Sequence, residues 1–335
     1  MKTYVITGAT GHIGHRIAET LLESGAKVKV VGRNVEKLEP LVKKGAKAFM
    51  GTLGDVEFLS KVLHGADAVF TMIPPDLHTE SVRAEQTRIG ISIAEAVRLS
   101  SVKWVVNLSS QGAHLLAGTG PIAGLHEQEE RINGIPLLNV VHLRPAFFME
   151  NLESTISLIK TQGIMGTPLR GDLKIPVIAT RDIAHAASEY LSELRFTGKS
   201  VCDLLGHRDL SMIEMTEIIG KAIAKPDLQY VQFSYEAARL AMLGMGMSAD
   251  MVRVFIEMYQ ALNEGRLMQG VVRTIENTTK TPFENFAVEF AHLYQSHTSE
   301  IKNEEPKEKE VTPRMEEKKS QGSWWSQLHL RRKAA

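Results

Sequence analysis

The sequence predicts an α/β fold, a doubly wound parallel sheet with a smaller, mainly helical C-terminal cap subdomain. Three observations predict it. Over residues 1–150, short Val- and Ile-rich runs alternate with helical apolar patterns, as parallel βαβ units require. Three glycines follow the first apolar run and open the first helical pattern. After Pro145 helical patterns dominate. With 335 residues, 43% of them apolar and 23% charged, the chain can bury one large core or two modest ones.

The strand candidates run in order Thr3–Thr7, Val28–Val31, Ala46–Met50, Ala68–Ile73, Trp104–Leu108 and Val140–Leu143. Between the first two, Ile13, Ile17, Leu21 and Leu22 share one helical face; Leu59, Val62 and Leu63 do so later, as do Ile89, Ile93, Ala96 and Val97. Right-handed crossovers then put helices on both faces of the sheet. Beyond Pro145 the helical segments are 149–161, 182–194, 211–224, 234–243 and 249–263. Short strands at Ile175–Ile178 and Ser200–Leu204 are placed to return to the main sheet. Asp209-Leu210-Ser211 leads into an amphipathic run, and Ser211 with Glu214 has capping-box spacing. The expected organisation is a nucleotide-binding domain over 1–150, a substrate or cap subdomain over 151–296 and a disordered charged tail over 297–335. That tail carries 9 basic and 7 acidic residues, leaving 30 and 32 in the body. A mixed-charge stretch such as Lys302–Lys319 cannot bury enough apolar surface to offset its ordering entropy. Trp324-Trp325 and Arg331-Arg332-Lys333 suit either a membrane-surface or partner contact, or simply a floppy terminus.

Composition narrows the function classes. Lys+Arg and Asp+Glu are both 39, so the basic excess of a nucleic-acid binder is missing. One cysteine, Cys202, makes neither an internal disulfide nor a multi-Cys zinc site, and a reducing cytoplasm is the expected setting. Met1–Thr7 is too short and polar for a signal-peptide core, and no run reaches the roughly 18 apolar residues of a span, so no stable membrane insertion is expected. The 12 histidines form no His-Glu-x-x-His set, and no metal is expected. Gly198-Lys199-Ser200 imitates the end of a Walker loop, but Glu193 stands where that loop needs glycine, and a strand follows. Nothing in the sequence specifies an oligomeric state.

The loop Thr7-Gly8-Ala9-Thr10-Gly11-His12-Ile13-Gly14 lies between a strand and a helix, the context of a Rossmann-type dinucleotide site. Gly8 allows the turn, Gly11 lets backbone approach a pyrophosphate, and Gly14 lets the helix pack close to the strands. The phosphates then meet free N–H groups at the positive helix end. An NAD site usually places a carboxylate at the end of the second strand. Here that strand ends Val31-Gly32-Arg33-Asn34, with no acid before Glu36. Arg33 can fork onto a 2′-phosphate, with Lys37 near, so NADP(H) is expected, NADPH preferred over NADH.

Five stretches carry a family resemblance: Thr71-Met72-Ile73-Pro74-Pro75, Leu108-Ser109-Ser110, Leu143-Arg144-Pro145-Ala146-Phe147-Phe148-Met149-Glu150-Asn151, Thr180-Arg181-Asp182-Ile183-Ala184 and Thr281-Pro282-Phe283-Glu284-Asn285-Phe286. With the glycine loop they resemble the NmrA-like branch of the atypical short-chain dehydrogenase/reductase superfamily, including its NAD(P)H quinone and azo reductases. The resemblance covers residues 3 to about 295. It implies that Ile73, Pro74 and Pro75 lie beside the cofactor ribose, and that Ser109, Ser110, Pro145 and Phe147 lie near the nicotinamide. It further implies that Phe148 and Asn151 face the substrate; Gln111 and His114 are candidates for the same side, as is Met245 among the cap methionines Met242, Met245, Met247 and Met251, which can adapt to apolar ligands. Where the branch often carries an Asp-Leu pair near the adenine, this chain reads Thr52-Leu53, with Asp55 further on.

Typical members of the superfamily reduce carbonyls with a Tyr-x-x-x-Lys pair. The six tyrosines here are 4, 190, 230, 235, 259 and 294, none between the fifth and sixth strands, and no lysine occurs between Lys103 and Lys160. In that place stands Leu125-His126-Glu127-Gln128-Glu129-Glu130. His126 and Glu130 are one turn apart. His126 could donate a proton, or contact the ribose with Glu130 orienting it, or the segment is a solvated helix start. A quinone or azo compound accepts hydride without a strong acid, because its anion takes a proton from water or a weak donor. Two readings follow: an NADPH-dependent oxidoreductase acting on a small conjugated acceptor, or a non-catalytic NAD(P) redox sensor regulating a partner protein.

Overall fold

The structure, a computed structural model, describes residues 1–100 and 102–303. Residues 1–295 form one compact unit. The chain alternates β1 (Thr3–Ile6), α1 (His12–Glu23), β2 (Lys27–Gly32), α2 (Val35–Lys43), β3 (Lys47–Met50), α3 (Val56–Leu63), β4 (Ala68–Thr71), α4 (Val82–Leu99), β5 (Trp104–Leu108), α5 (Ile122–Asn133) and β6 (Asn139–Pro145). These strands and β10 (Lys199–Leu204) make a seven-stranded parallel sheet in the order β10-β6-β5-β4-β1-β2-β3.

Strand alternation divides the core between the two faces. Ile6, Val30, Phe70, Val106 and Val141 point to one face, where Ile17 and Leu21 of α1 and Ile183, Ala187 and Leu191 of α7 (Thr180–Glu193) cover them. Val5, Val31, Val69, Val105 and Val140 point to the other, under Leu59 and Val62 of α3 and Ile89, Ile93 and Val97 of α4. The apolar spacing read from the sequence is the spacing that seats these helices.

The remainder comprises β7 (Phe147–Phe148), α6 (Ile156–Gln162), β8 (Ile164–Thr167), β9 (Ile175–Ile178), β11 (Arg208–Leu210), α8 (Met212–Ala222), β12 (Gln229–Gln232), α9 (Tyr235–Gly244), α10 (Ala249–Asn263) and α11 (Phe283–Asn303). It has its own core, with Met149, Ile159, Met165, Val177, Met215, Phe283, Phe286 and Phe290 inside. The capping box at α8 forms: Ser211 Oγ accepts Glu214 N at 3.1 Å and Glu214 Oε2 accepts Ser211 N at 2.8 Å. The α9–α10 hairpin is fastened to the segment after β4. Ser248 N donates to Leu77 O, His78 Nδ1 donates to Gly246 O and Val82 N donates to Asp250 Oδ2, each at 2.9 Å.

Several expectations are corrected. Residues 175–178 pair with β11 and β7 in a separate three-stranded sheet; of the two returning strands only β10 joins the main sheet. Asp209 and Leu210 lead into α8 as expected, and they do so as the end of strand β11, directly before the N-cap Ser211. The 149–161 helix begins as a 3-10 helix over Met149–Thr155. The 182–194 helix starts at Thr180, because the Glu150 carboxylate accepts Thr180 N at 2.9 Å and so caps an earlier turn. The fourth strand stops at Thr71 rather than Ile73, two residues short of prolines that have no N–H to offer a sheet. Helix α11 continues to Asn303. The rest of the expected tail, with Trp324-Trp325 and the basic cluster 331–333, lies outside the described residues.

One buried polar chain crosses three strands. Thr71 Oγ1 donates to Asn107 Oδ1 at 3.0 Å, Asn107 Nδ2 donates to His142 Nδ1 at 3.0 Å, and His142 Nε2 donates to Asn133 Oδ1 at 2.9 Å. Every link has one donor and one acceptor only while the imidazole is neutral. His142 is 1% exposed, and burial holds its pKa down to about 4. A histidine whose folded pKa lies below its unfolded value stabilises above the unfolded pKa and loses that stability as pH falls toward the folded one. Lowering pH from 7 to 5 is therefore expected to cost about 2 kcal/mol in equilibrium denaturation, and His142→Gln should flatten that dependence.

Candidate active site

The glycine loop is built on one close approach. Thr7 N and Oγ1 both donate to Phe70 O at 3.1 Å, fixing the end of β1 to β4. The chain then turns at Gly8, whose φ of +63° suits glycine, and Gly11 N donates back to Gly8 O at 3.0 Å. A Cβ on Gly14 would lie 2.4 Å from Gly8 O, so only glycine lets α1 start this close to the strand end. Thr7, Ile13 and Gly14 are buried; Thr10, Gly11 and His12 are exposed. No side chain caps α1 and its first turn holds no acid. Helices α2, α3 and α4, by contrast, are capped by Asn34, Asp55 and Ser81. The first N–H groups of α1 are thus available to an anion.

Beside this loop lies a cleft of about 110 Å³. It brings together Gly8, Thr10, Arg33, Thr52, Leu53, Pro74 and Pro75 from the residues expected at the cofactor. Sequence reasoning missed Val31, Gly32, Gly51, Met72, Asp76, Glu85 and Ile89, which line it too. The Arg33 guanidinium is exposed and makes no hydrogen bond or ion pair among the described residues. Lys37 is exposed and not part of the lining, and the Asn34 side chain is occupied, accepting Lys37 N at 3.0 Å. The residues fit a phosphorylated nucleotide: an uncapped helix start, an unpaired cation and a groove kept open by glycines.

The ends of β5, β6 and β10 carry a second group. Ser109 is buried and its Oγ donates to Glu129 Oε1 at 2.5 Å. Glu129 is 3% exposed, and Arg144 forks onto it through Nε at 2.9 Å and Nη2 at 2.5 Å. Gln111 spends its amide hydrogens on Arg144 O at 2.7 Å and Asp203 Oδ1 at 2.8 Å, so it ties β6 to β10. Pro145 O accepts Gln111 N at 3.1 Å, and Ser110 Oγ donates to Gln111 O at 3.0 Å. The carboxylate that matters structurally is Glu129, one residue from the one singled out in sequence. Glu130 is exposed and makes no side-chain bond among the described residues. It does not orient His126; Ala113 O does, at 2.8 Å from Nδ1. A carbonyl only accepts, so Nδ1 carries hydrogen and Nε2 is left to take or release a proton.

The remaining expected residues scatter. Ile73 is buried in the core under α3 and α4. Phe147 and Phe148 turn opposite ways along β7, one toward the cap core and one toward the sheet core. His114 and Asn151 are exposed, and Met245 is 69% exposed on the end of α9. The motif acids do structural work: Glu150 caps α7, and Asp182 accepts Thr281 N at 3.0 Å and Thr281 Oγ1 at 2.6 Å, tying down the segment before α11. Among the described residues no three His, Cys, Asp or Glu are grouped to hold a metal, and no helix is long and apolar enough to cross a membrane.

Comparison with known proteins places this geometry. The profile of the NmrA-like family matches residues 1–300. The NAD(P)H azoreductase of Xenophilus azovorans is 28% identical over 295 residues, which is 87% of this chain and 97% of that protein. Quinone oxidoreductase 2 of Escherichia coli is 24% identical, across 86% of this chain and 98% of its own. The crystal structure of a triphenylmethane reductase from Citrobacter sp. with NADP(H) shares the fold, with TM-score 0.70 and 20% identity over 87% of this chain and all (100%) of that one.

Removing one partner of a buried ion pair strands the other. Glu129→Ala leaves Arg144 and Ser109 without their acceptor and is expected to cost about 3–5 kcal/mol in urea denaturation, whereas Glu130→Ala should cost less than about 0.5 kcal/mol.

Proposed function

The chain belongs to the NmrA-like family, and from that premise we propose that it is an NADPH-dependent oxidoreductase acting on a small conjugated acceptor, quinone-like or azo-like. The observation that carries this reading is the cleft that runs from Gly8 and Thr10, in the loop before the uncapped α1, to the unpaired Arg33. The names of the relatives, an azoreductase and a quinone oxidoreductase, support the acceptor class.

In this reading the backbone N–H groups of His12 and Ile13, at the start of α1, hold the diphosphate, and Arg33 takes the 2′-phosphate in a charge-assisted fork. Thr52 and Leu53 receive the adenine; Pro74 and Pro75 border the ribose. NADPH, when bound, supplies hydride. Ser109, Ser110, Pro145 and Phe147 border the nicotinamide end. Ser109 has given its hydrogen to Glu129, so it serves there as an acceptor and not as an acid. His126 holds the proton that completes the two-electron reduction. Its Nδ1–H is tied to Ala113 O, so protonation at Nε2 makes an imidazolium with one N–H free to give up. The absence of a Tyr/Lys pair between β5 and β6 fits an acceptor that does not need a strong acid.

NADPH oxidation by the purified protein across a panel of quinones and azo dyes tests this reading, with turnover expected for at least one class. His126→Ala should keep NADPH binding and lose most turnover; unchanged turnover removes His126 from the chemistry. Arg33→Ser should weaken NADPH by about tenfold or more while sparing NADH, measured by fluorescence titration. Tight NADPH binding with no turnover on any acceptor would favour the redox-sensor reading instead.

A further inference from the structure

The end of β2 offers the nucleotide cleft a cation and no acid. The fold supplies acids from elsewhere. Asp76, directly after Pro74-Pro75, and Glu85, in the first turn of α4, line the same cleft as Arg33. We infer that Glu85, held by Arg88 and assisted by Asp76, opposes Arg33 across this cleft and sets the balance between NADPH and NADH. The inference rests on the nucleotide-binding reading and adds a specificity determinant to it.

Glu85 is not free to turn away. Its Oε2 accepts Arg88 Nε at 2.8 Å and its Oε1 accepts Arg88 Nη2 at 2.7 Å. The third nitrogen, Arg88 Nη1, donates to Gly54 O at 3.2 Å. Gly54 is glycine for a steric reason, since a Cβ there would lie 1.8 Å from Arg88 Nη1. The loop that carries Thr52 and Leu53 is therefore clamped to α4, with the Glu85 carboxylate fixed at the junction. Asp76 is also held, its Oδ1 accepting His78 N at 3.0 Å, and it has no ion-pair partner among the described residues.

The charges are balanced in number but not paired in space: Arg88 is committed to Glu85, and the cleft presents one unpaired cation, Arg33, and one unpaired carboxylate, Asp76, with the Glu85 carboxylate beside them. The fork from Arg88 holds the Glu85 carboxyl below the usual range against burial, with Asp76 opposing and Arg33 adding to the same downward shift. Glu85 thus already feels both Asp76 and Arg33. A 2′-phosphate, with a charge near −2, gains from Arg33 and loses to both carboxylates. An unphosphorylated ribose offers O–H donors, which a carboxylate accepts. The acids consequently hold NADPH below the affinity that Arg33 alone would give and make room for NADH.

The test is the pair of dissociation constants for NADPH and NADH on the full-length protein. Glu85→Gln is expected to raise the preference for NADPH by about fivefold at low salt, and the gain should shrink in about 1 M salt as screening shortens the range of the field. Asp76→Asn, which leaves Arg88 undisturbed, should shift the ratio the same way. An unchanged or lowered NADPH preference in both variants overturns the inference while leaving the nucleotide site standing. Failure of the parent protein to bind either nucleotide overturns the underlying reading, and this inference with it.

Discussion

The contact between Gly14 and Gly8 O is the constraint on which the rest is arranged. A helix pointing its N-terminus at a strand end is useful only if it comes close, and closeness here is limited by a single Cβ that would intrude to 2.4 Å. With α1 seated, its apolar face covers Ile6, Val30 and Phe70, and α7 can pack beside it on the same side of the sheet. The same placement leaves α1 without a side-chain cap, just after the loop whose Gly8 and Thr10 line the cleft that Arg33, Thr52 and Pro74 border. The packing of this face of the sheet and the exposure of the loop beside the cleft both follow from one missing methyl group.

The other end of the sheet is organised by charge. Glu129, Arg144, Ser109, Gln111 and Asp203 lock the tips of β5, β6 and β10 together with buried hydrogen bonds. Such a cluster is costly to break and rigid while whole. It also defines what the neighbouring side chains can do: Ser109 is an acceptor and Gln111 is a strut, while His126 is turned by its Nδ1–H bond to Ala113 O. The segment between β5 and β6, which holds no tyrosine and no lysine, is used here for anchoring.

Much of the fold was legible because long periodic segments report their own burial. Ile13, Ile17 and Leu21 marked α1, and 249–263 matched α10 residue for residue. The short strands β7, β8 and β12 were not legible: two to four residues show no period, and their partners lie far along the chain. The glycine loop and Arg33 were readable because their chemistry is local. Asp76 and Glu85 were not, since only the crossing of β4 and α4 past β2 brings them to Arg33. Glu129 and Glu130 could not be told apart by spacing, as neighbours on a helix point about 100° apart and packing alone selects the buried one. An arginine in the apolar strand β6 was the available hint that a buried acid had to exist.

The late arrival of three elements has a consequence for biosynthesis. Helix α7 covers one face of the main sheet, β10 forms its edge, and Phe283, Phe286 and Phe290, each no more than 1% exposed, fill the cap core. A nascent chain that has emerged only as far as β6 therefore presents Ile6, Phe70 and Val106 under an incomplete roof. The cap stays hollow until residue 290 clears the ribosome. Vectorial folding of this protein ends almost where its compact unit ends, and the interval before that is when its unfinished surfaces are open to chaperones and to one another.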